Sequence, residues 1–387
     1  MNNRLFGYIE GYYGRLLSWD ERQLLLGAMG QLGLNAYLYA PKEDPFHRQH
    51  WREAYPAAWR ASFTEFVKQG RKKKIDIAAG IAPGLSYNYC SSADYVRLRK
   101  KCGSFIKTGV RAICLLMDDI PARLPASCKK TFSSLGQAHG KLLTRLKADL
   151  PTGVSLWFCP TVYADELARQ SNEASHYLPD LAATMPSSTV ILWTGARVIS
   201  KNISAGSLRQ VNKLFNCNIC IWDNLYANDY CPRKLFIGPY KNRDHACAQS
   251  TRGVLLNPTG LVYTDIFLLD LLAAFRNGND PQKAWQSQIS KLPFAKELAL
   301  IAPFIDLPYS SLPQRMLSAG NIKRCQAALK KLIWEWKSPL QREWYPFLYM
   351  LDCDLTLIRQ TPGRNARQWI EKKYPALLAR VLQRKWS

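Results

Sequence analysis

Short apolar runs recur along the first two-thirds of the chain, with helix-patterned sequence between most of them. The runs are Leu5–Ile9, Ala36–Tyr39, Ile75–Ile81, Ala112–Met117, Val154–Phe158, Val190–Trp193, Ile219–Trp222 and Gly253–Leu256. Each is short and near-continuously hydrophobic, as strands buried on both faces are. The intervening segments include Asp20–Leu32, Ala58–Lys74, Ala93–Lys107, Phe132–Leu146 and Ala205–Phe215. Successive runs start roughly 30–40 residues apart, the length of one βα unit. Eight such units predict an α/β fold, a (β/α)8 barrel of the TIM type.

Polar, glycine and aromatic residues follow every run. Glu10, Gly11, Tyr12 and Tyr13 come after the first, and Pro41, Lys42, Glu43 and Asp44 after the second. Pro83 and Gly84 follow the third, Asp118 and Asp119 the fourth, and Cys159, Pro160, Thr161 and Tyr163 the fifth. Thr194 and Gly195 follow the sixth, Asp223, Asn224, Asn228 and Asp229 the seventh, and Asn257 and Pro258 the eighth. Any one set is ordinary turn chemistry. A barrel, however, gathers all eight strand ends on one face, where barrel active sites form. Asp118-Asp119 is the sharpest of these features. Two neighbouring carboxylates repel, so their pKa values separate, and one can serve as an acid while the other stays charged. Acetal cleavage needs that division, a proton for the leaving oxygen and a negative partner for the developing cation.

From Asn277 the pattern becomes helical, over Gln282–Leu292, Asn321–Trp336, Pro339–Gln360 and Asn365–Arg384. We therefore expect a catalytic barrel over 1–276 and a smaller all-α domain over 277–387. Trp334, Trp336, Trp344 and Trp369 recur in these helices. Helical spacing of large apolar residues is a core face; a homodimer contact through this domain is the sharper alternative.

The formal charge is +24, and residues 277–387 contribute 18 Lys+Arg against 8 Asp+Glu. The excess is spread over both parts and no nucleic-acid motif accompanies it, so a basic solvated surface is expected rather than a nucleic-acid site. No 18-residue apolar run reads as a membrane span. Strand-like sequence begins at Arg4, so no signal peptide is expected. Eleven scattered cysteines, with Cys217 and Cys220 as a lone CxxC, read as reduced thiols in a cytoplasmic protein rather than a zinc site. No metal or cofactor is expected.

Gly7-Tyr8-Ile9-Glu10-Gly11-Tyr12-Tyr13-Gly14-Arg15 resembles the opening strand of glycoside hydrolase family 84, the O-GlcNAcase and hyaluronidase-like β-N-acetylglucosaminidases. The similarity continues through Asn35–Pro45 with His47-Arg48 and Trp51-Arg52, Ala82-Pro83-Gly84-Leu85, and Met117-Asp118-Asp119-Ile120. It extends through Phe158–Tyr163, Leu192–Gly195, Trp222–Tyr230, Gly238-Pro239-Tyr240 and Asn257-Pro258. The matches fall in order at all eight strands, over residues 4–275.

The resemblance implies retaining, substrate-assisted hydrolysis of terminal β-linked GlcNAc through an oxazoline. Asp118 would polarise the acetamido group and Asp119 would be the general acid and base. Tyr163 and Asn224 would surround the acetamido group and Asp118, and Trp222 would floor the N-acetyl pocket. Lys42, the Gly11 carbonyl, Asp229 and Asn257 would bind ring hydroxyls. The implied partner is a GlcNAc-bearing glycoconjugate, glycoprotein or oligosaccharide, O-GlcNAc-modified Ser/Thr among them. The competing reading is a catalytically weak sugar- or polyanion-binding barrel. Departures from the family pattern include Leu16-Leu17-Ser18-Trp19 where Pro-Trp is usual, Met117 for a common Phe, and His139-Gly140 in the fourth helix.

Overall fold

The structure, a computed structural model, describes residues 4–216 and 218–360. The described residues divide into two compact units. One runs to Asn224 and includes Asn242–Gly260; the other comprises Leu225–Lys241 and the residues from Leu261.

The first unit is a closed barrel of eight parallel strands in sequence order, with β8 paired back to β1. The strands are β1 Leu5–Glu10, β2 Ala36–Tyr39, β3 Asp76–Ile81, β4 Ala112–Leu116, β5 Ser155–Cys159, β6 Val190–Trp193, β7 Ile219–Asp223 and β8 Gly253–Leu256. Around them run α1 Trp19–Gln31, α2 Ala57–Lys72, α3 Ser92–Lys107, α4 Leu135–Asp149, α5 Asp165–Ala168, α6 Asn172–Thr184, α7 Arg209–Leu214 and α8 His245–Gln249. The (β/α)8 barrel expected from the apolar runs is the architecture found.

Successive strand residues face opposite ways. Ala36, Leu38 and Ala40, Ala112, Cys114 and Leu116, Trp157 and Cys159, and Cys220 and Trp222 share one buried cluster, the barrel interior. The alternate positions face the helices: Tyr37 meets Phe66 of α2 at 5.1 Å and Tyr39 meets Phe63 at 5.3 Å. Gly253 opens β8 at φ 127°, a conformation that side chains rarely adopt, with its α-carbon against the Leu5 backbone.

Serines set the helix starts. Ser18, Ser91, Ser134 and Ser171 each accept a hydrogen bond from a first-turn N–H of α1, α3, α4 and α6. At α1 the Glu21 side chain answers the Ser18 backbone, completing a capping box. Two carboxylates at strand ends serve the scaffold. Glu10 is fully buried, takes two N–H bonds from Arg22, and accepts from Tyr37 Oη at 2.8 Å. Asp223 is held likewise by Arg243 at 2.7 and 2.8 Å.

The second unit holds α9 Val262–Arg276, α10 Pro281–Ser290, α11 Ala295–Ile301, α12 Ala319–Trp334 and α13 Pro339–Gln360. Its tryptophans divide. Trp336 and Trp344 are buried, edge to face at 5.5 Å, and Trp344 Nε1 donates to Thr264 Oγ1 at 2.9 Å. Trp334 is 58% exposed. Trp344 and Trp336 are thus core residues, and only Trp334 of these three is on the surface. Trp369, the helix expected over Asn365–Arg384 and Cys217 of the CxxC lie outside the described residues. Among the described residues, no helix is long and apolar enough to cross a membrane.

Candidate active site

The alternation that fills the barrel continues past the strand ends. Gly11 lies two residues after the inward Ile9, Lys42 two after Ala40, Asp118 two after Leu116, Tyr163 four after Cys159, Asn224 two after Trp222 and Asn257 two after Leu255. A period of two therefore aims seven of the nine expected site residues, Trp222 included, at the barrel mouth.

Asp118 is buried, and its Oδ2 is ion-paired to the Lys42 ammonium. Its Oδ1 is also buried and makes no hydrogen bond within the protein. Asp119 follows at φ 56°, and this left-handed turn swings its side chain out of the alternation. Asp119 Oδ1 accepts from Tyr163 Oη at 3.0 Å and Oδ2 from Tyr13 Oη at 2.5 Å. Lys42 Nζ stands 3.6 Å from Asp119 Oδ2, so one fully buried ammonium serves both carboxylates.

That ammonium changes the electrostatics expected from the sequence. Burial alone would push Asp119 up, but Lys42, the two tyrosine hydroxyls and Arg48 outweigh it and hold the carboxyl below its ordinary value. Repulsion within an isolated pair was expected to raise the acid; Lys42 compensates the pair, and Asp119 shifts the other way. Burial would likewise lower Lys42, and the two aspartates more than reverse it. Tyr163 is raised, by burial first and then by the negative charge beside it.

Opposite the pair lies a cluster of an indole and two amides. Trp222 Nε1 donates to Asn224 Oδ1 at 2.8 Å, and Asn257 Nδ2 donates to the same oxygen at 2.9 Å. Asn224 Nδ2 donates to the Val198 carbonyl at 2.8 Å, and Asn257 Oδ1 accepts the Gly11 N–H at 3.1 Å. The Asn224 carbonyl is thus occupied, and one of its two amide hydrogens is left for a ligand. Gly11 is required by packing: a Cβ there would lie 2.5 Å from Cζ2 of Trp222.

The resemblance puts Tyr163 beside Asp118; in this structure its hydroxyl is on Asp119. Asp229 belongs to the second compact unit, where Oδ1 accepts the Tyr230 N–H at 2.9 Å. Two residues absent from the expected set are present here. Arg48 Nη1 donates to Tyr13 Oη at 2.7 Å, so Arg48, Tyr13 and Asp119 form a chain. Tyr13 and Arg48 both lie inside quoted motifs, and their polar tips beside a strand end were the available signal.

A second chain supports the strand ends from behind. Thr161 Oγ1 donates to the Met117 carbonyl at 2.7 Å, directly before the pair. The Thr161 N–H donates to Tyr177 Oη at 3.1 Å, and Tyr177 and Tyr89 each meet a ring nitrogen of His139 at 2.7 Å. Burial pulls His139 down to about 3, so it is neutral at pH 7. The Tyr177 hydroxyl needs an acceptor, and Nδ1 is the one in reach, which leaves the proton on Nε2 facing Tyr89.

Fold and site together have the layout of a barrel glycoside hydrolase. A family model described as beta-N-acetylglucosaminidase matches residues 6–304. The protein O-GlcNAcases of Rattus norvegicus and Mus musculus are each 32% identical over 275 residues, 71% of this chain and 30% of theirs. The chain therefore spans less than a third of the length of these curated relatives. A mutant of the Thermobaculum terrenum O-GlcNAc hydrolase superposes with a TM-score of 0.78 at 24% identity, covering 93% of this chain and 84% of that one, a likeness of fold. The chain belongs to the beta-N-acetylglucosaminidase family, glycoside hydrolase family 84.

Proposed function

We propose that the protein hydrolyses terminal β-linked GlcNAc with retention, using the substrate's own acetamido oxygen as nucleophile. The observation that carries the reading is the buried, unpaired Asp118 Oδ1 beside a lysine-neutralised Oδ2. A buried acceptor without a donor is costly, and an amide N–H from the ligand would remove the cost. Asp118 then holds the acetamido N–H through Oδ1 as the acetamido oxygen attacks the anomeric carbon and the nitrogen becomes cationic. Trp222 forms the pocket floor, the remaining Asn224 N–H faces the ligand, and Lys42, the Gly11 carbonyl and Asn257 take the ring hydroxyls.

Asp119 gives its proton to the leaving oxygen, then removes one from the water that opens the oxazoline. For this it must be protonated in the complex. A bound sugar excludes water and engages the Tyr13 and Tyr163 hydroxyls, and both changes raise the carboxyl. We assign the aglycone as a Ser or Thr hydroxyl of a cytoplasmic glycoprotein, in keeping with the names of the rodent relatives. Self-association through the helical region is carried forward on the exposed Trp334, which meets Tyr345 edge to face at 6.1 Å; light scattering of Trp334→Ala tests it.

Turnover of an aryl β-N-acetylglucosaminide, with inhibition by a thiazoline that mimics the oxazoline, tests the function. The thiazoline should bind far more tightly than substrate and lose that advantage in Asp118→Ala. Turnover insensitive to the thiazoline would overturn the mechanism. Absence of turnover, with sugar binding retained, would favour the binding-protein reading.

A further inference from the structure

Two thiols converge away from the carboxylate site. Cys90 lies in the loop between β3 and α3, and Cys128 closes the short 3-10 turn Ala126–Cys128 between β4 and α4. Both are free; Cys90 is exposed and Cys128 is buried. Asn88 Oδ1 accepts the Cys90 N–H at 3.0 Å and lies 4.0 Å from Cys128 Sγ. Cys90 Sγ lies 3.5 Å from Thr131 Oγ1, and the Thr131 N–H donates to the Cys128 carbonyl at 3.0 Å. These contacts gather the two cysteines around the Asn88 and Thr131 side chains. Cys90 is the exposed thiol among the described residues; the others are buried, or half-buried in the case of Cys353.

We propose that Cys90 and Cys128 form an oxidative modification site, at which a peroxide closes a disulfide between the loops after β3 and β4. The Cys90 sulfur attacks one oxygen of hydrogen peroxide as its thiol proton departs, the O–O bond breaks, the other oxygen leaves with that proton as water, and a sulfenic acid remains. Cys128 then gives up its proton and attacks that sulfur; the S–S bond forms, the S–O bond breaks and a second water leaves. Two thiols lose two electrons in all, and the peroxide gains them. Exposure brings Cys90 to the oxidant. Burial pushes the Cys128 thiol up, which disfavours its reacting with the oxidant first.

The bond would fall on loops that already touch beside the aspartate pair. A Cβ on Gly84 would lie 3.1 Å from Ile120 Cδ1 and 3.2 Å from Met117 Sδ. Cys128 belongs to the loop that starts at Asp118-Asp119, so the cross-link tethers the segment carrying the acid to its neighbour.

The test is hydrogen peroxide titration of the full chain, followed by non-reducing tryptic mass spectrometry. The expected product is a Cys90–Cys128 linked peptide two hydrogens lighter than its parts, with thiol titre reduced by two and restored by dithiothreitol. In Cys128→Ser, Cys90 should accumulate as a sulfenic acid trapped by dimedone. In Cys90→Ser, Cys128 should resist the same dose. Cys90 passing to sulfinic acid without a link in the native chain would overturn the proposal. So would Cys128 being oxidised equally in Cys90→Ser, or Cys90 pairing with another cysteine.

Discussion

Lys42→Met removes the one buried cation between the two carboxylates while keeping side-chain volume. The Lys42 side chain is 2% exposed, so solvent screening offers little discount. At 3.6 Å and an effective dielectric near 20, a single pair interacts by about 4–5 kcal/mol. Breaking a buried pair leaves an uncompensated charge and costs about 3–5 kcal/mol of stability. The sign with pH is fixed by two shifts. Asp119 is lowered in the fold, so its share of stability is present above the unfolded carboxylate value and lost as pH falls through the folded one. Lys42 is raised, so its share is present below the unfolded lysine value and lost as pH rises through the folded one. At pH 7 both are present, and urea unfolding there should register the full loss. The deficit against wild type should shrink toward acid pH, where Asp119 is neutralised by protonation. Adding Asp118→Asn to Lys42→Met should restore part of the stability, since one stranded charge is gone. Turnover of an aryl β-N-acetylglucosaminide by Lys42→Met should fall by about 10²–10³. A loss under about 1 kcal/mol, as for a surface pair, with near-normal turnover would refute the bridging role.

Other outcomes follow from the same geometry. Asp119→Ala should be severe for poor leaving groups and mild for activated phenols, whereas Asp118→Ala should cost about 3–4 kcal/mol with both; equal leaving-group dependence in the two variants would reject the assigned roles. Because Lys42, Tyr13, Tyr163 and Arg48 hold Asp119 low, the alkaline limb of kcat/KM, which reports free enzyme, should lie at lower pH than that of kcat, which reports the complex; coincident limbs would contradict the shift on binding. Gly11→Ala forces a methyl against the indole of Trp222 and should cost about 1–3 kcal/mol, raising KM for N-acetylated substrate; unchanged kinetics would show that the indole floor is not required.

The barrel was legible because parallel strands buried on both faces read as short apolar runs, and β2, β6 and β8 carry the same bounds in sequence and structure. Lys42, Asp118, Asn224 and Asn257 stood out as polar residues just past strand ends, and the resemblance supplied their roles; the inward register of the strands before them appears only in the structure. The helices were less legible. α6 was missed because Pro179 interrupts it, yet Ser171 caps it and thirteen residues remain helical. The expected start at Phe132 lies upstream of Ser134, whose side chain sets the start of α4 at Leu135. The electrostatic state of the pair was not legible: Lys42 lies 76 residues from Asp118, and only closure of the barrel brings them together. Tyr13 and Arg48 were passed over for the same reason, since their hydrogen bond spans 35 residues of sequence. Asp119 departs from the inward alternation through its positive φ, which an Asp-Asp dipeptide does not announce.

In the proposed reaction the acetamido oxygen of the substrate, and not Asp118, attacks the anomeric carbon. Aryl β-glucosaminides carrying N-acetyl, N-fluoroacetyl, N-difluoroacetyl and N-trifluoroacetyl groups measure it directly, because each fluorine makes that oxygen a poorer nucleophile. Turnover should fall steeply and monotonically along the series, and should do so in Asp119→Ala with an activated leaving group. A flat series, or covalent labelling of Asp118 by a 2-fluoro sugar, would contradict it.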